Sequence, residues 1–287
     1  MAARPAAGGS RFHGVATRTF PTALARRIRA PTHAGEAGCG QPWGRSDMAP
    51  SNELLRSLAP DELESIRPYL EPVQLSVHNI LYEIGEPAKW VYFPEAGLLS
   101  VLTVMISGEA FSTALIGREA AVGFVEAAGA GVMLSRVIVR LPGAAVRVAA
   151  GHYRDAFETT AALRTAMHRA TELLLAEARQ DIACRALHGI EQRFSRLVSE
   201  CQDRVDAARR LPLRQVELAN MLGVTRPTVS NVASAIQGQR LIRYVRGSIE
   251  ILDREGLERA ACECRASIQG LRRRLDSRDP AGSTAIS

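Results

Sequence analysis

Apolar positions change their spacing several times along the 287 residues, and each change marks a different element. Residues 1–50 are rich in Ala, Gly, Arg and Pro and show no apolar period, which predicts a disordered extension. From Glu53 to Leu70, Leu54, Leu55, Leu58, Leu63 and Ile66 follow a helical spacing, with Pro60-Asp61 as a stop and restart. From Val73 to Val148 the pattern becomes short β-rich runs: Ile80–Tyr82, Trp90–Phe93, Leu98–Met105, Phe111–Ile116 and Val137–Leu141. Glycines 85, 97, 108, 117, 123 and 143 punctuate them, which predicts a compact β-roll. From Tyr153 to Arg204 the spacing is helical again. Leu163, Met167, Ala170 and Leu174 step by four, three and four residues, a coiled-coil-like seam. That seam predicts a dimer contact; the plainer alternative is a helix packed on its own β-roll. A second helix, Ala186 to Cys201, sets Leu187, Ile190, Phe194, Leu197 and Val198 on one side.

The stretch from Leu213 to Leu252 organises the rest. Two short amphipathic runs flank Leu222-Gly223-Val224-Thr225. Ala219 is small where two helices must cross, and Gly223 allows the positive φ of a sharp helix exit. Val229 faces back onto the first helix with Leu218, Leu222 and Val232. Thr225 is placed to cap the second helix, and Pro227 is tolerated in its first turn. This is the pattern of a helix-turn-helix, whose second helix, here Arg226 to Gln237, enters the major groove of DNA. Leu241–Val245 and Ser248–Leu252 follow as two β runs joined at Arg246-Gly247, a hairpin signal that makes the unit a winged helix. An ordinary helix pair would leave the polar face Arg226, Thr228, Ser230 and Asn231 unexplained.

Charge sharpens this reading. The formal net charge is +6, but residues 1–47 alone carry seven arginines against Glu36 and Asp47, a net +5. The high pI is thus a property of the extension and says little about nucleic acid. Met48 directly precedes the first structured pattern and is the expected translation start; the alternatives for the extension are a basic DNA-binding arm or a transit peptide. Within 211–252, Arg214, Arg226, Arg240, Arg243 and Arg246 face only Glu217 and Glu250, a local net +3 suited to phosphate contact. The longest apolar stretch, Leu98–Ile106, is too short to span a bilayer, no secretory layout precedes it, and no membrane partner is expected. Five scattered cysteines (Cys39, Cys184, Cys201, Cys262, Cys264) suggest a reducing cytoplasm. Cys262-Glu-Cys264 has no His or third Cys near it in sequence, so no metal site is expected.

The order β-roll, long helix, winged helix resembles the Crp–Fnr family of bacterial transcription regulators over roughly residues 52–264. The carriers are Gly85-Glu86, Val91-Tyr-Phe-Pro-Glu-Ala-Gly97, Leu218-Ala-Asn-Met-Leu-Gly-Val-Thr-Arg-Pro-Thr-Val-Ser230, Leu241-Ile-Arg-Tyr-Val-Arg-Gly247 and Ile249-Glu-Ile-Leu-Asp-Arg-Glu-Gly-Leu257. The resemblance implies an α+β chain: a jelly-roll-like, cyclic-nucleotide-binding-like double-stranded β-roll (51–152), helices with a dimerisation helix (153–181) and a winged helix-turn-helix (182–262); composition sets a disordered extension (1–50) before them and a basic, polar, flexible tail (263–287) after them. The resemblance also implies a homodimer reading palindromic DNA, with RNA polymerase as a partner.

By the same resemblance, Arg226, Ser230 and Asn231 contact bases, and Gln215, Thr228, Arg214, Arg243 and Arg246 contact phosphates. The family often has Glu where Pro227 stands and Arg where Asn231 stands, so a different operator is expected. The family's cyclic-nucleotide sites use Gly-Glu-Leu and then Arg-Ser or Arg-Thr. The matching stretches here are Val122-Gly123-Phe124-Val125-Glu126 and Leu134-Ser135-Arg136. Gly123, Phe124, Ser135 and Arg136 therefore form a degenerate effector pocket, and cAMP is not expected to bind; Arg118 or Arg136 is left to meet some other anionic effector. Only Cys39 lies where the family's oxygen sensors hold an iron–sulfur cluster, and His78 and His152 read as surface residues rather than haem ligands. No cofactor is expected.

Two rivals stay open: a signalling adaptor with a degenerate helix-turn-helix, and a constitutive regulator with a purely structural roll. An enzyme is not expected, because a cupin-type metal site needs clustered His and carboxylate ligands that the roll lacks, and no nucleophile motif or phosphate loop occurs.

Overall fold

The structure is a computed structural model that describes residues 50–205 and 209–276. The expected disorder of the extension, the start at Met48, Cys39 and the last part of the expected tail lie outside these residues.

The chain enters through α1 (Glu53–Arg56). Its cap, Asn52, is fully buried: the side-chain oxygen accepts from the Leu54 and Leu55 amides, and the side-chain nitrogen donates to the Pro94 and Ala120 carbonyls at 2.9 Å each. α2 (Pro60–Ile66) and a 3-10 turn (Arg67–Tyr69) follow, divided from α1 near Pro60 as the sequence suggests.

Seven strands build the roll: β1 (Glu71–Leu75), β2 (Ile80–Tyr82), β3 (Trp90–Pro94), β4 (Leu98–Val104), β5 (Ala110–Ile116), β6 (Arg136–Leu141) and β7 (Gly143–Ala149). They form two antiparallel sheets, ordered β1-β7-β3 and β2-β6-β4-β5. Successive strands β6 and β7 belong to different sheets, so the chain turns a corner at Pro142. Glycine is required there. A Cβ on Gly143 would lie 2.2 Å from the Ala96 carbonyl oxygen, and one on Gly97 (φ 92°) would lie 2.8 Å from that of Leu141. Val91, Phe93, Leu99, Val137, Val139 and Val148 fill the space between the sheets and are almost wholly buried. A short helix, α3 (Phe124–Ala128), closes one side.

Three helices follow: α4 (Ala150–Thr159), α5 (Ala161–Leu187) and α6 (Ile190–Asp203). α5 has 27 residues and is therefore about 40 Å long. The expected dimer seam is corrected here. Leu163, Met167 and Ala170 are 1%, 1% and 5% exposed and belong to the core of their own roll, with Leu174 packed against it. The helix turns this apolar face inward because the roll's open side needs covering. A different face is left exposed, with Leu175 at 50% and Ile182 at 69% exposure, seven residues apart.

α5 runs past the boundary expected at 181–182, and the break between α5 and α6 falls at His188–Gly189. Leu187 accordingly ends α5 and is exposed, while Phe194, Leu197 and Val198 are buried as expected. The expected flexible tail from residue 263 is also corrected: Cys264–Asp276 form a helix, α10. Buried Cys264 and Ile268 anchor it, and Arg272 donates to Glu177 of α5 at 2.5 Å.

A buried ion pair joins the roll to α6. Arg204, the C-cap of α6, donates its Nε to Glu119 at 2.7 Å, and Arg272 lies 3.6 Å from the same carboxylate. Burial alone would raise the Glu119 carboxyl, but the two arginines outweigh it and hold it at about 2 against an ordinary 4.5. A depressed carboxylate stabilises the fold above its unfolded value. That contribution, on the order of 3 kcal/mol, is lost as the pH falls from about 4.5 toward 2. Glu200, whose carboxyl burial pushes up, works in the opposite sense. We expect the urea midpoint of the native chain to drop steeply in this acid window and that of Glu119→Gln, already destabilised at neutral pH, to drop less; equal drops would contradict the assignment.

Candidate nucleic-acid interface

The remaining elements are β8 (Arg210–Leu211), α7 (Gln215–Leu222), α8 (Arg226–Gly238), β9 (Ile242–Val245), β10 (Ser248–Ile251) and α9 (Arg254–Ala260). β8, β10 and β9 pair in that order as a three-stranded wing; its first strand, only two residues long, precedes α7 and has no sequence signature. Gly223 has φ 66° and ends α7 in the left-handed conformation. Leu218, Leu222, Val229, Val232 and Ile236 are buried in one core with Phe194 and Val198 of α6 and Ile249 of the wing. This core fixes the rotation of α8 and so decides which residues face out. Thr225 is the N-cap residue of α8, but its hydroxyl pairs with that of Thr228 at 2.9 Å and not with a backbone amide.

Arg226 and Asn231 are exposed and Ser230 half-buried along the outer edge of α8. Arg226 Nε lies 3.5 Å from Gln215 Oε1, so a base-contact candidate and a phosphate-contact candidate meet at the mouth of the motif. At the wing tip, Arg246 (φ 46°) and Gly247 (φ 80°) both have positive φ, as a primed two-residue hairpin turn needs, and Arg246 is exposed.

The other expected phosphate contacts are engaged within the protein. Arg243 donates twice to Glu250, at 2.5 and 3.0 Å, and these bonds hold the Glu250 carboxyl below its ordinary range. Arg209 and Arg210 lie 3.4 and 3.7 Å from the same carboxylate. These two exposed arginines were missed because they stand just before the stretch that carries the motif. Including them, residues 209–252 hold seven arginines against two glutamates, a net +5. Arg214 donates to Glu217 at 3.1 Å and lies 2.6 Å from His78 Nε2 on the β1–β2 loop. Burial would raise the Glu217 carboxyl; the Arg214 amide, His78 and the Arg214 side chain reverse this and lower it. His78 is a surface residue, as expected, but it also ties the roll to the foot of α7.

The helix-turn-helix lies on the outer face of the β2-β6-β4-β5 sheet. Leu98 and Leu141 of that sheet join its core, and Ser100 and Ser112 are buried beneath it, hydrogen-bonded at 2.8 Å. Arg185 of α5 stacks on Phe111 of β5, 4.2 Å from the ring centroid, and donates to the Leu222 carbonyl at 3.0 Å. A Cβ on Gly223 would come within 2.3 Å of the Phe111 ring. The first helix and the turn are thus docked on the roll while the outer edge of α8 stays exposed.

The four residues of the degenerate effector pocket go separate ways. Gly123 (φ 81°) caps α3, and Phe124 is 3% exposed within the roll's core. Arg136 donates to Glu83 at 2.8 Å, and Ser135 is half-buried. Leu134, near the family's arginine position, is 72% exposed.

The reason for expecting no metal site does not survive the fold. Cys262 and Cys264 meet Cys184 and His188, and one ligand atom from each lies within 4.8 Å of the others.

Comparison with known proteins agrees with this geometry. Residues 184–260 match the family model of the Crp-like helix-turn-helix domain. No curated protein matches the chain. Among solved structures, FixK2 from Bradyrhizobium japonicum is similar at TM-score 0.58 and 16% identity, over 67% of this chain and 98% of that one. The c-di-GMP responsive global regulator CLP of Xanthomonas campestris gives 0.55 and 14%, over 67% and 98%. A CRP/FNR family transcriptional regulator of Thermus thermophilus gives 0.56 and 20%, over 67% and 98%. The matched domain is a Crp-like helix-turn-helix, and the solved structures share the fold around it. The mixed α+β architecture is the one the sequence implies, and the fold is similar to those of solved CRP/FNR family regulators. Among the described residues no helix is long and apolar enough to cross a membrane.

Proposed function

We propose that the chain acts in the cytoplasm as a homodimer that reads a two-fold-symmetric operator through α8, without gating by cAMP, and works with RNA polymerase rather than as an enzyme. One observation carries the reading: α8 is locked by its buried face into the winged-helix core, while Arg226, Ser230 and Asn231 remain on its exposed edge. The wing adds Arg209, Arg210 and Arg246 on the same unit. The dimer contact is reassigned to the exposed stripe of α5 around Leu175 and Ile182, because two apolar side chains at seven-residue spacing on a long helix suit a parallel coiled-coil contact.

The absence of cAMP gating rests on the roll. Phe124 fills the core where a ribose-binding carboxylate would stand, and Arg136 is already paired with Glu83, so a buried cyclic phosphate would have no bidentate partner. A different small-molecule effector remains part of the proposal.

Gel-shift titration against a selected operator tests the reading. Arg226→Ala is expected to cost roughly 1–3 kcal/mol and to relax preference at one base position, because Arg reads guanine in bidentate fashion. A uniform loss across all sequences would place Arg226 on phosphate instead. The adaptor alternative predicts no salt-dependent DNA binding at all.

A further inference from the structure

We propose that Cys184, His188, Cys262 and Cys264 form a structural zinc site that fastens the winged helix to the end of α5. Cys184 lies in the last turn of α5, and His188, four residues on, is the C-cap whose amide donates to the Cys184 carbonyl. Cys262 lies between α9 and α10, 78 residues further along from Cys184, and Cys264 opens α10. The thiols are 1%, 4% and 0% exposed and make a cluster of their own, with no aliphatic side chain in it. A packing role would not by itself gather three thiols and an imidazole at one point.

Two of the ligand-to-ligand edges are close to the lengths a tetrahedral ion sets, and the whole set lies within 4.8 Å. Bonds of the usual zinc lengths set sulfur–sulfur edges of about 3.8 Å and sulfur–nitrogen edges of about 3.6 Å. Cys184 Sγ and Cys262 Sγ are 3.6 Å apart, and Cys264 Sγ and His188 Nδ1 are 3.4 Å apart. The surroundings suit it too. His188 Nε2 meets the Glu263 carboxylate at 3.0 Å, which fixes the ring so that Nδ1 faces the thiols, the carboxylate–histidine arrangement common behind zinc ligands. Gln180 donates to Cys264 Sγ at 3.1 Å, a bond that favours a thiolate. A soft set of three sulfurs and one nitrogen with no open position selects zinc in a structural role.

Binding releases the thiol protons and joins three segments. His188 is the C-cap of α5 and Gly189 the N-cap of α6, so the ion sits at the joint about which the DNA-binding unit would turn. Cys264 is also the first residue of α10, so the same ion pins that helix.

Elemental analysis of the full chain, purified under reducing conditions without chelator, is expected to give about one zinc per chain. Cobalt(II) added to the metal-stripped chain is expected to give the visible bands and thiolate charge-transfer absorption of a tetrahedral sulfur-rich site. Cys264→Ser and His188→Ala should lose the zinc, while Cys201→Ala, at a buried cysteine outside the cluster, should keep it. No zinc together with no tetrahedral cobalt spectrum from the unmodified chain would overturn the proposal, whatever the variants do. So would zinc retained by Cys264→Ser, or a Cys184–Cys262 disulfide in the chain as isolated from reducing cells.

Discussion

Replacing Leu175 and Ile182 together by glutamate is expected to convert the proposed dimer to a monomer and to lower operator affinity by roughly 10²-fold or more. Both side chains are half or more exposed in the single chain, at 50% and 69%, so the substitutions leave the fold intact. In the proposed dimer the same side chains would be buried against their copies, and four carboxylates would be forced together without partners. Operator affinity then falls because linking two half-site readers makes the second binding event intramolecular, a gain of about 10²–10⁴ that a monomer forfeits. Light scattering gives the mass, and gel shift on the same operator gives the affinity. A double variant that stays dimeric with unchanged affinity would place the contact elsewhere. The companion change Met167→Glu separates the two readings of α5, since Met167 is 1% exposed inside its own roll and its replacement should unfold the chain rather than split a dimer.

Phe194→Ala is expected to cost about 3–5 kcal/mol of stability, because a wholly buried aromatic leaves a cavity where α6, α8 and the wing meet. This core sets the rotation of α8, so DNA binding should fall at temperatures where the roll remains folded. Leu187→Ala, seven residues earlier and 78% exposed, is the control and should change stability by less than about 0.5 kcal/mol. Urea unfolding compares the two. Equal small effects would mean that α6 does not support the reading helix.

The helix-turn-helix was legible because its signals are local. Gly223, Pro227 and the apolar set Leu218, Leu222, Val229 and Val232 lie within one stretch of fifteen residues, 218–232, and the structure puts them where the spacing requires. The strands with branched and aromatic residues were legible for the same reason. β7 was not, since Gly-Ala-Ala-Val-Arg-Val-Ala has little β-propensity and is held by pairing with β1 on one side and β3 on the other. The periodicity of α5 showed an apolar stripe but not which surface covers it: Leu163, Met167 and Ala170 satisfy a coiled-coil seam and a roll-facing helix equally well. α10 escaped notice because its burial rests on Cys264, Ile268 and a long-range ion pair in an otherwise basic, polar segment. The cysteine–histidine cluster lies beyond any motif search, because half of its ligands come from a helix 78 residues away from the other half.

Selection of bound sequences from a random DNA pool by the purified chain tests the central claim most directly. The expected result is an enriched inverted repeat whose half-sites are centred about one helical turn apart, with a guanine preference that Arg226→Ala abolishes. Recovery of no motif, or of a single asymmetric site bound by one chain, would contradict it.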